Sequence, residues 1–282
     1  MKLYQDREWL QKQVQEVKNK ELIGRMCGCS GNTINYWMKK FGIPNIDYST
    51  VVSQTRVHIF NEQYFDIIDS EEKAYWLGYI MADGCVSTSS SKIVSPNEFT
   101  INCKGEDSNH LRKLNLALNS DYPIKISEKC DHKRGIHWTS AELRIRSVRL
   151  CNSLIQNQVV PRKTGKEIIP ATVSDIYLLP FIRGFFDGDG SIFRRPSCYG
   201  VHVGKSSQRI IVQIQNFFKS KGITWKMYIK HNYSIPFYYL DTNKRETVIA
   251  ILHLLYDNAT VYLDRKFNKA QEVLQSIGSL VE

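Results

Sequence analysis

Two stretches decide the reading of this chain: Trp76-Leu77-Gly78-Tyr79-Ile80-Met81-Ala82-Asp83-Gly84 and Ile182-Arg183-Gly184-Phe185-Phe186-Asp187-Gly188-Asp189-Gly190. They agree in the first glycine and in the closing Asp-Gly, and each carries two small residues four apart, Gly78 with Ala82 and Gly184 with Gly188. Residues four apart share one helix face. Small side chains on that face let two helix backbones approach closely, a steric effect best known in membranes but general in origin. Helices packed this way about a pseudo-two-fold axis would bring Asp83 and Asp189 side by side at their C-terminal ends. Gly84 and Gly190 are expected to cap those helices in the left-handed conformation.

A second landmark repeats. Pro161-Arg162-Lys163-Thr164 follows a helical pattern in the first half and Asp264-Arg265-Lys266-Phe267 follows one in the second. Lys163 lies 80 positions after Asp83, and Lys266 lies 77 after Asp189. Two landmarks at nearly equal offset mark an internal duplication, with copies over residues 69–170 and 171–282. Strand-like runs at Glu98 to Cys103, Ala141 to Arg146, Gly200 to Val203 and Trp225 to Lys230 alternate with helical segments, an α+β pattern.

Two carboxylates converging where the helix dipole is also negative repel each other unless cations are present. Oxygen ligands of this kind suit Mg²⁺, or another divalent cation such as Mn²⁺. For a single copy, an Asp-Gly that ends a turn is the simpler explanation. Two copies on helices built to touch favour the cation site.

Upstream, residues 1–44 read as a compact helical unit. Apolar positions recur at helical spacing through Trp9, Leu10, Val14 and Val17, then Leu22, Ile23 and Met26, then Ile34, Trp37, Met38 and Phe41. Gly28 permits a tight turn, and Ser30 can cap the helix that follows. The pattern is that of a helix-turn-helix whose last helix presents Gly31, Asn32, Asn35 and Lys39 outward to DNA. An ordinary three-helix bundle is the alternative. Gly42 and Pro44 end the unit, and residues 45–68 are expected to be a partly extended linker.

The formal charge of +10 points to a polyanionic partner, nucleic acid first. The seven cysteines are odd in number, scattered and without paired C-x-x-C spacing, which excludes a zinc finger and suggests reduced thiols. The N-terminus lacks an apolar signal core, and no run approaches the ~20 apolar residues of a membrane span. The expectation is an intracellular, cytoplasmic protein of a bacterial or phage-infected cell, neither secreted nor membrane-bound.

Tyr75 to Gly84 and Phe181 to Ile192 resemble the motifs of the LAGLIDADG homing endonucleases, specifically the single-chain members with two motif copies. The resemblance covers residues 69–282. It implies tandem αββαββα repeats with pseudo-two-fold symmetry forming a DNA-binding β-saddle, and a last motif acid that binds metal in each copy, here Asp83 and Asp189. It also implies an active-site lysine near the start of the final helix of each unit, carried here to Lys163 and Lys266, and a polar strand residue that positions water, placed at Asn102 and His202. The sixth motif position, often acidic, is Met81 in one copy and Asp187 in the other; it is not the metal ligand. A helix-turn-helix ahead of such a core resembles phage-type or intron-encoded members.

The activity so implied is site-specific hydrolysis of double-stranded DNA at two nearly equivalent centres. Strand alternation points Arg144 and Arg146, and Lys226 and Lys230, toward the duplex, with Arg194 and Arg195 as further contacts. Because the halves differ at these positions, the expected target is long and asymmetric, read by a monomer. A non-cleaving relative, such as an RNA maturase or a transcription regulator, is the main alternative; both acids and both lysines favour the nuclease. An intein endonuclease is disfavoured, because the chain begins Met1-Lys2 and ends Val281-Glu282 rather than with splicing residues.

Overall fold

The computed structural model describes residues 2–17, 19–46, 58–88, 95–131, 134–195, 198–231 and 235–278. It divides into two compact units, residues 1–57 and 58–282.

The smaller unit holds three α-helices among its described residues, α1 (Arg7–Val17), α2 (Lys20–Met26) and α3 (Gly31–Phe41), after a short 3-10 turn at Leu3–Gln5. The expected punctuation is present. Ser30 accepts a hydrogen bond from the Thr33 N–H at the start of α3, Gly28 takes φ 67°, and Gly42 closes α3 in the left-handed region. Leu10, Ile23, Ile34 and Met38 form the core. Leu22 and Met26, expected inside, are exposed, because a helix of seven residues buries only one narrow stripe. Gly31 is also turned around: it is buried against Glu21, where the place of a side chain is already taken by the carboxylate.

The larger unit contains the duplication. Its first copy runs α4 (Glu71–Asp83), β1 (Gly84–Ser87), β2 (Glu98–Lys104), α5 (Ser108–Ala117), β3 (Ile124–Asp131), β4 (Ile136–Arg146) and α6 (Val148–Gln156). Its second runs α7 (Leu178–Asp189), β5 (Gly190–Arg195), β6 (Cys198–Lys205), α8 (Gln208–Ser220), β7 (Lys226–Lys230), β8 (Phe237–Thr242) and α9 (Arg245–Tyr256), with α10 (Asp264–Gly278) added. Each copy is therefore an αββαββα unit. The two antiparallel sheets have matching strand orders, β1-β2-β4-β3 and β5-β6-β8-β7. Register matches as well, since Gly84 pairs with Ile101 and Gly190 with Val203.

The helices lie on one face of each sheet, because strand alternation buries one side only. On β4, Ala141, Leu143 and Ile145 are buried while Arg144 and Arg146 are exposed. On β6, Val201 and Val203 enter the same continuous core as Phe99 and Ile101 of β2.

Residues 58–68, expected as linker, belong to this core: Tyr64, Phe65 and Ile68 are buried in it, and Asn157 donates to the Phe65 carbonyl at 2.8 Å. A polar-looking segment carries three apolar anchors within five residues. At the other end of the expected linker Ile46 is buried in the core of the smaller unit, and residues 47–57 lie outside the described residues.

Candidate active site

Helices α4 and α7 cross at their glycines. A Cβ built on Gly78 would come within 3.0 Å of the carbonyl of Phe181 and the N of Phe185; one on Gly184 would come equally close to the Tyr75 carbonyl and the Tyr79 N. The obstacles are backbone atoms of the partner helix, so only glycine fits without moving a whole helix. Nearer the C-terminal ends, a Cβ on Gly188 would collide with Ala82 and lie 3.2 Å from Asp83 Oδ2. The small-residue stripe thus performs the close approach expected of it.

Gly84 and Gly190 do not adopt the left-handed conformation. Gly84 has φ −75° and ψ 157°, Gly190 has φ −83° and ψ 167°, and each is the first residue of a strand. Their glycine character answers to space: a Cβ would meet the Ile80 carbonyl oxygen at 2.8 Å in one copy and that of Phe186 at 2.6 Å in the other. The chain therefore turns directly from helix into strand, leaving Asp83 and Asp189 at the junctions.

The two acids share one cluster. Desolvation by the surrounding protein, and then the neighbouring Asp189 carboxylate, push the Asp83 carboxyl up to about 6. Three lysines oppose that repulsion: Lys205, Lys266 and Lys163. Lys163 Nζ donates to the Ala82 carbonyl at 3.2 Å and to the Gly84 carbonyl. Lys266 Nζ donates to the Phe186 carbonyl at 2.6 Å and to the Gly190 carbonyl. Each lysine thus holds the carbonyl of the glycine that follows its own copy's aspartate. Burial lowers both ammonium groups, Lys266 to about 8, with Asp187 opposing the fall. Lys266 sits in the first turn of α10, as expected. Lys163 lies in a turn after α6, beside Arg162 at φ 52°, and not at a helix start.

Lys205, the last residue of β6, was not anticipated. Its ammonium pairs with Asp189 Oδ2 and donates to the Ala82 carbonyl at 2.9 Å, so it ties the second acid to the first helix. By strand register, Lys205 corresponds to Cys103 in the first half, and burial together with Asp107 and Asp83 pushes that thiol up to about 12.

Asn102 and His202 are not brought to the acids. They project from the other face of the sheets, and they are not register equivalents: Asn102 corresponds to Gly204, His202 to Thr100. Asn102 is exposed, and His202 Nδ1 lies 3.3 Å from Asp241.

Asp187 is fully internal. It accepts from the Tyr75 hydroxyl at 2.6 Å, the Tyr256 hydroxyl at 2.7 Å and the Leu263 N–H at 2.8 Å. It binds α4, α9 and the approach to α10 together, while Met81, its counterpart, sits in apolar packing.

The other expected nucleic-acid contacts have mixed surroundings. Arg144 and Arg146 are exposed on the outer face of the first sheet but paired with Glu142 and Glu98. Arg194 is exposed, its guanidinium 5.6 Å from the Tyr199 ring centre. Lys226 and Lys230 are exposed on β7. The side chain of Arg195 lies outside the described residues. In the smaller unit Asn32 and Lys39 are exposed, whereas Asn35 accepts from Lys20 Nζ at 2.9 Å and is turned toward α2.

The donor set fits a hard divalent cation. Asp83, exposed at its helix end, and the half-buried Asp189 meet in one cluster, where desolvation by the surrounding protein and then the Asp189 charge raise Asp83. Among the described residues no group of three or more His, Cys, Asp or Glu side chains forms a metal cage. Such a pair suits Mg²⁺ or Mn²⁺, which complete their shells with water and phosphate oxygens. An ammonium already rests on Asp189, so a cation there must share or displace Lys205.

Comparison with known proteins bears on the fold. Residues 177–255 match the family model of a LAGLIDADG-like domain. A search of curated proteins gave no match. Among solved structures, the homing endonuclease I-WcaI bound to its DNA recognition sequence is 12% identical, with 82% of this chain and 93% of that one covered and a TM-score of 0.51. I-DmoI in complex with DNA and Ca is 17% identical, with 75% and 99% covered and a TM-score of 0.50. The fold of residues 58–282 resembles that of the LAGLIDADG homing endonucleases.

Proposed function

We propose that this chain is a divalent-metal-dependent endonuclease that cuts double-stranded DNA at a long asymmetric site as a monomer, with Asp83 and Asp189 holding the cations. The observation that carries the reading is the meeting of the two motif acids at a glycine-packed helix crossing, surrounded by three buried or half-buried lysines. Cations bound there would lower the pKa of an attacking water and offset charge on the scissile phosphate. Mg²⁺ is the expected ion, with Mn²⁺ as a substitute.

The chain's own groups have separable tasks. Asp83 and Asp189, once ionised, supply oxygen ligands. Lys163 and Lys266 fix the helix-to-strand junctions that aim those ligands, and their positive charge offsets negative charge gathering at the phosphate. Lys205 holds Asp189 against α4 and balances the pair before a cation arrives. The duplex would lie across the outer sheet faces, which the helices leave uncovered and where Arg144, Arg146, Lys226 and Lys230 are exposed. The three-helix unit would add DNA contacts through Asn32 and Lys39.

A plasmid library carrying randomised inserts, incubated with Mg²⁺, tests the reading. Linear products with a common cut sequence are expected. Binding without cleavage of any insert would favour a non-cleaving nucleic-acid-binding protein.

A further inference from the structure

The outer faces of the two sheets differ in chemistry at the middle of their outer strand pairs, although the first sheet also exposes Ile136 and Trp138 toward the start of β4. In the first sheet, Lys125 stands directly across from Glu142. The same register position in the second sheet is Tyr228 across from Tyr239. These rings stack, with centres 5.4 Å apart and planes 21° from parallel. Phe237 continues the row at 6.3 Å from Tyr239, and His202 adds to it at 5.0 Å. The row begins beside the candidate active site, because Phe237 and Tyr239 fill the space over Gly204, the neighbour of Lys205.

The arrangement specifies how a partner can be met. The faces of Tyr239 are occupied by Tyr228 and by Lys230, whose ammonium lies 4.7 Å from the ring centre; Lys226 lies 5.1 Å from the centre of Tyr228. With faces taken, the row offers ring edges and hydroxyls, so it is poorly suited to stacking an unpaired base. Lys226 and Lys230 outweigh the carboxylate of Asp241, which lies across from Lys226 and beside His202, and leave the surroundings cationic, which fits a phosphate backbone. Apolar edges at the floor of a cationic surface match the one apolar group that a duplex displays in its major groove, the C5 methyl of thymine.

We infer that the second sheet reads its half of the target through thymine methyl groups at Tyr228, Phe237 and Tyr239, whereas the equivalent positions of the first sheet, Lys125, Ser140 and Glu142, meet the duplex with charged and polar side chains. The inference rests on the proposal that a DNA duplex lies across these faces. It assigns the specificity of the second half to Tyr228, Phe237 and Tyr239.

The test uses the full chain and duplexes recovered from a randomised library by binding in EDTA, so that cleavage plays no part. Recovered duplexes are resynthesised with deoxyuridine for thymidine, one half at a time. In the half facing the second sheet, affinity should fall about three- to fivefold per methyl removed; in the other half it should hold. The triple variant Tyr228→Lys, Tyr239→Glu and Phe237→Ser, which installs the first sheet's residues at the equivalent positions, should abolish the uridine effect while retaining contacts to the first half. Affinity indifferent to uridine in both halves, with duplexes still bound, would overturn this inference alone. Tighter binding of a single-stranded oligothymidylate than of any duplex would overturn it in favour of base stacking. Recovery of no duplex would overturn the DNA-binding reading and this inference together.

Discussion

At the strand position facing the motif acids, the first half of the larger unit carries Cys103 and the second carries Lys205. At the sixth motif position the first half carries Met81 and the second Asp187, which is held by two tyrosine hydroxyls and a backbone N–H. The backbone plan, the glycine crossing and the lysine that holds each strand-initial carbonyl are common to both. What is shared builds the cluster; what differs makes its two sides unequal. A duplicated fold can keep two ligands equivalent while giving each a different electrostatic partner. In this chain the second acid comes with its own ammonium, and the first comes with a thiol.

The largest effects should fall on the shared parts. Asp83→Asn and Asp189→Asn should each reduce cleavage of both strands by about 10³-fold or more while duplex binding persists, because each acid serves one common cluster. A loss confined to one strand, read on a plasmid as nicked product, would break the equivalence of the acids. Gly78→Ala and Gly184→Ala should each destabilise the larger unit by about 3 kcal/mol, at the upper end of overpacking costs, since the new methyl meets backbone on both sides of the crossing. Denaturant unfolding measures this, and a change below the usual scatter of surface substitutions would contradict the packing described.

Smaller effects should expose the inequality. Lys205→Met should slow cleavage by about 10- to 100-fold, as loss of a ligand-orienting partner does, and more on one strand than on the other, so that nicked plasmid accumulates. Cys103→Ala should leave both rates close to the parent. Equal slowing of both strands by Lys205→Met would remove the distinction between halves. The smallest effect concerns pH. With its carboxyl raised from 3.8 to about 6, Asp83 binds its proton more tightly folded than unfolded. The metal-free fold is therefore favoured at low pH and loses that contribution as pH climbs through about 6. Cation binding needs the ionised form, so activity should run the other way and fall as pH drops below about 6. Asp83→Asn should then raise the melting temperature at neutral pH in EDTA, and a lower melting temperature would argue that Asp83 is held by a partner other than the acid pair.

Much of this architecture is legible in the sequence because it rests on sterics with a fixed period. Gly78, Ala82, Gly184 and Gly188 announce a helix crossing, and the repeated Lys163 and Lys266 announce a duplication. The helix-to-strand junction is less legible: Asp-Gly is compatible with a left-handed cap, whereas the backbone of Gly84 and Gly190 is extended and their lack of a side chain answers to the close approach of Ile80 and Phe186. Lys205 left a fainter signal. It shares strand parity with Val201 and Val203, both of which face the core, so a lysine two positions later is directed inward. Asn102 and His202 have the opposite parity, which is why polar character alone misplaced them. Registers across strands, such as Tyr228 with Tyr239, depend on pairing between segments that no local pattern fixes.

Asp83 and Asp189 are proposed to hold divalent cations jointly. The most direct test is Mn²⁺ binding followed by electron paramagnetic resonance, with the full chain bound to a recovered target duplex. Parent protein should bind Mn²⁺ with a signal distinct from the free ion, and either Asp83→Asn or Asp189→Asn should abolish or severely weaken that binding. Unaltered Mn²⁺ affinity and spectra in both variants would contradict a cation site shared by the two acids.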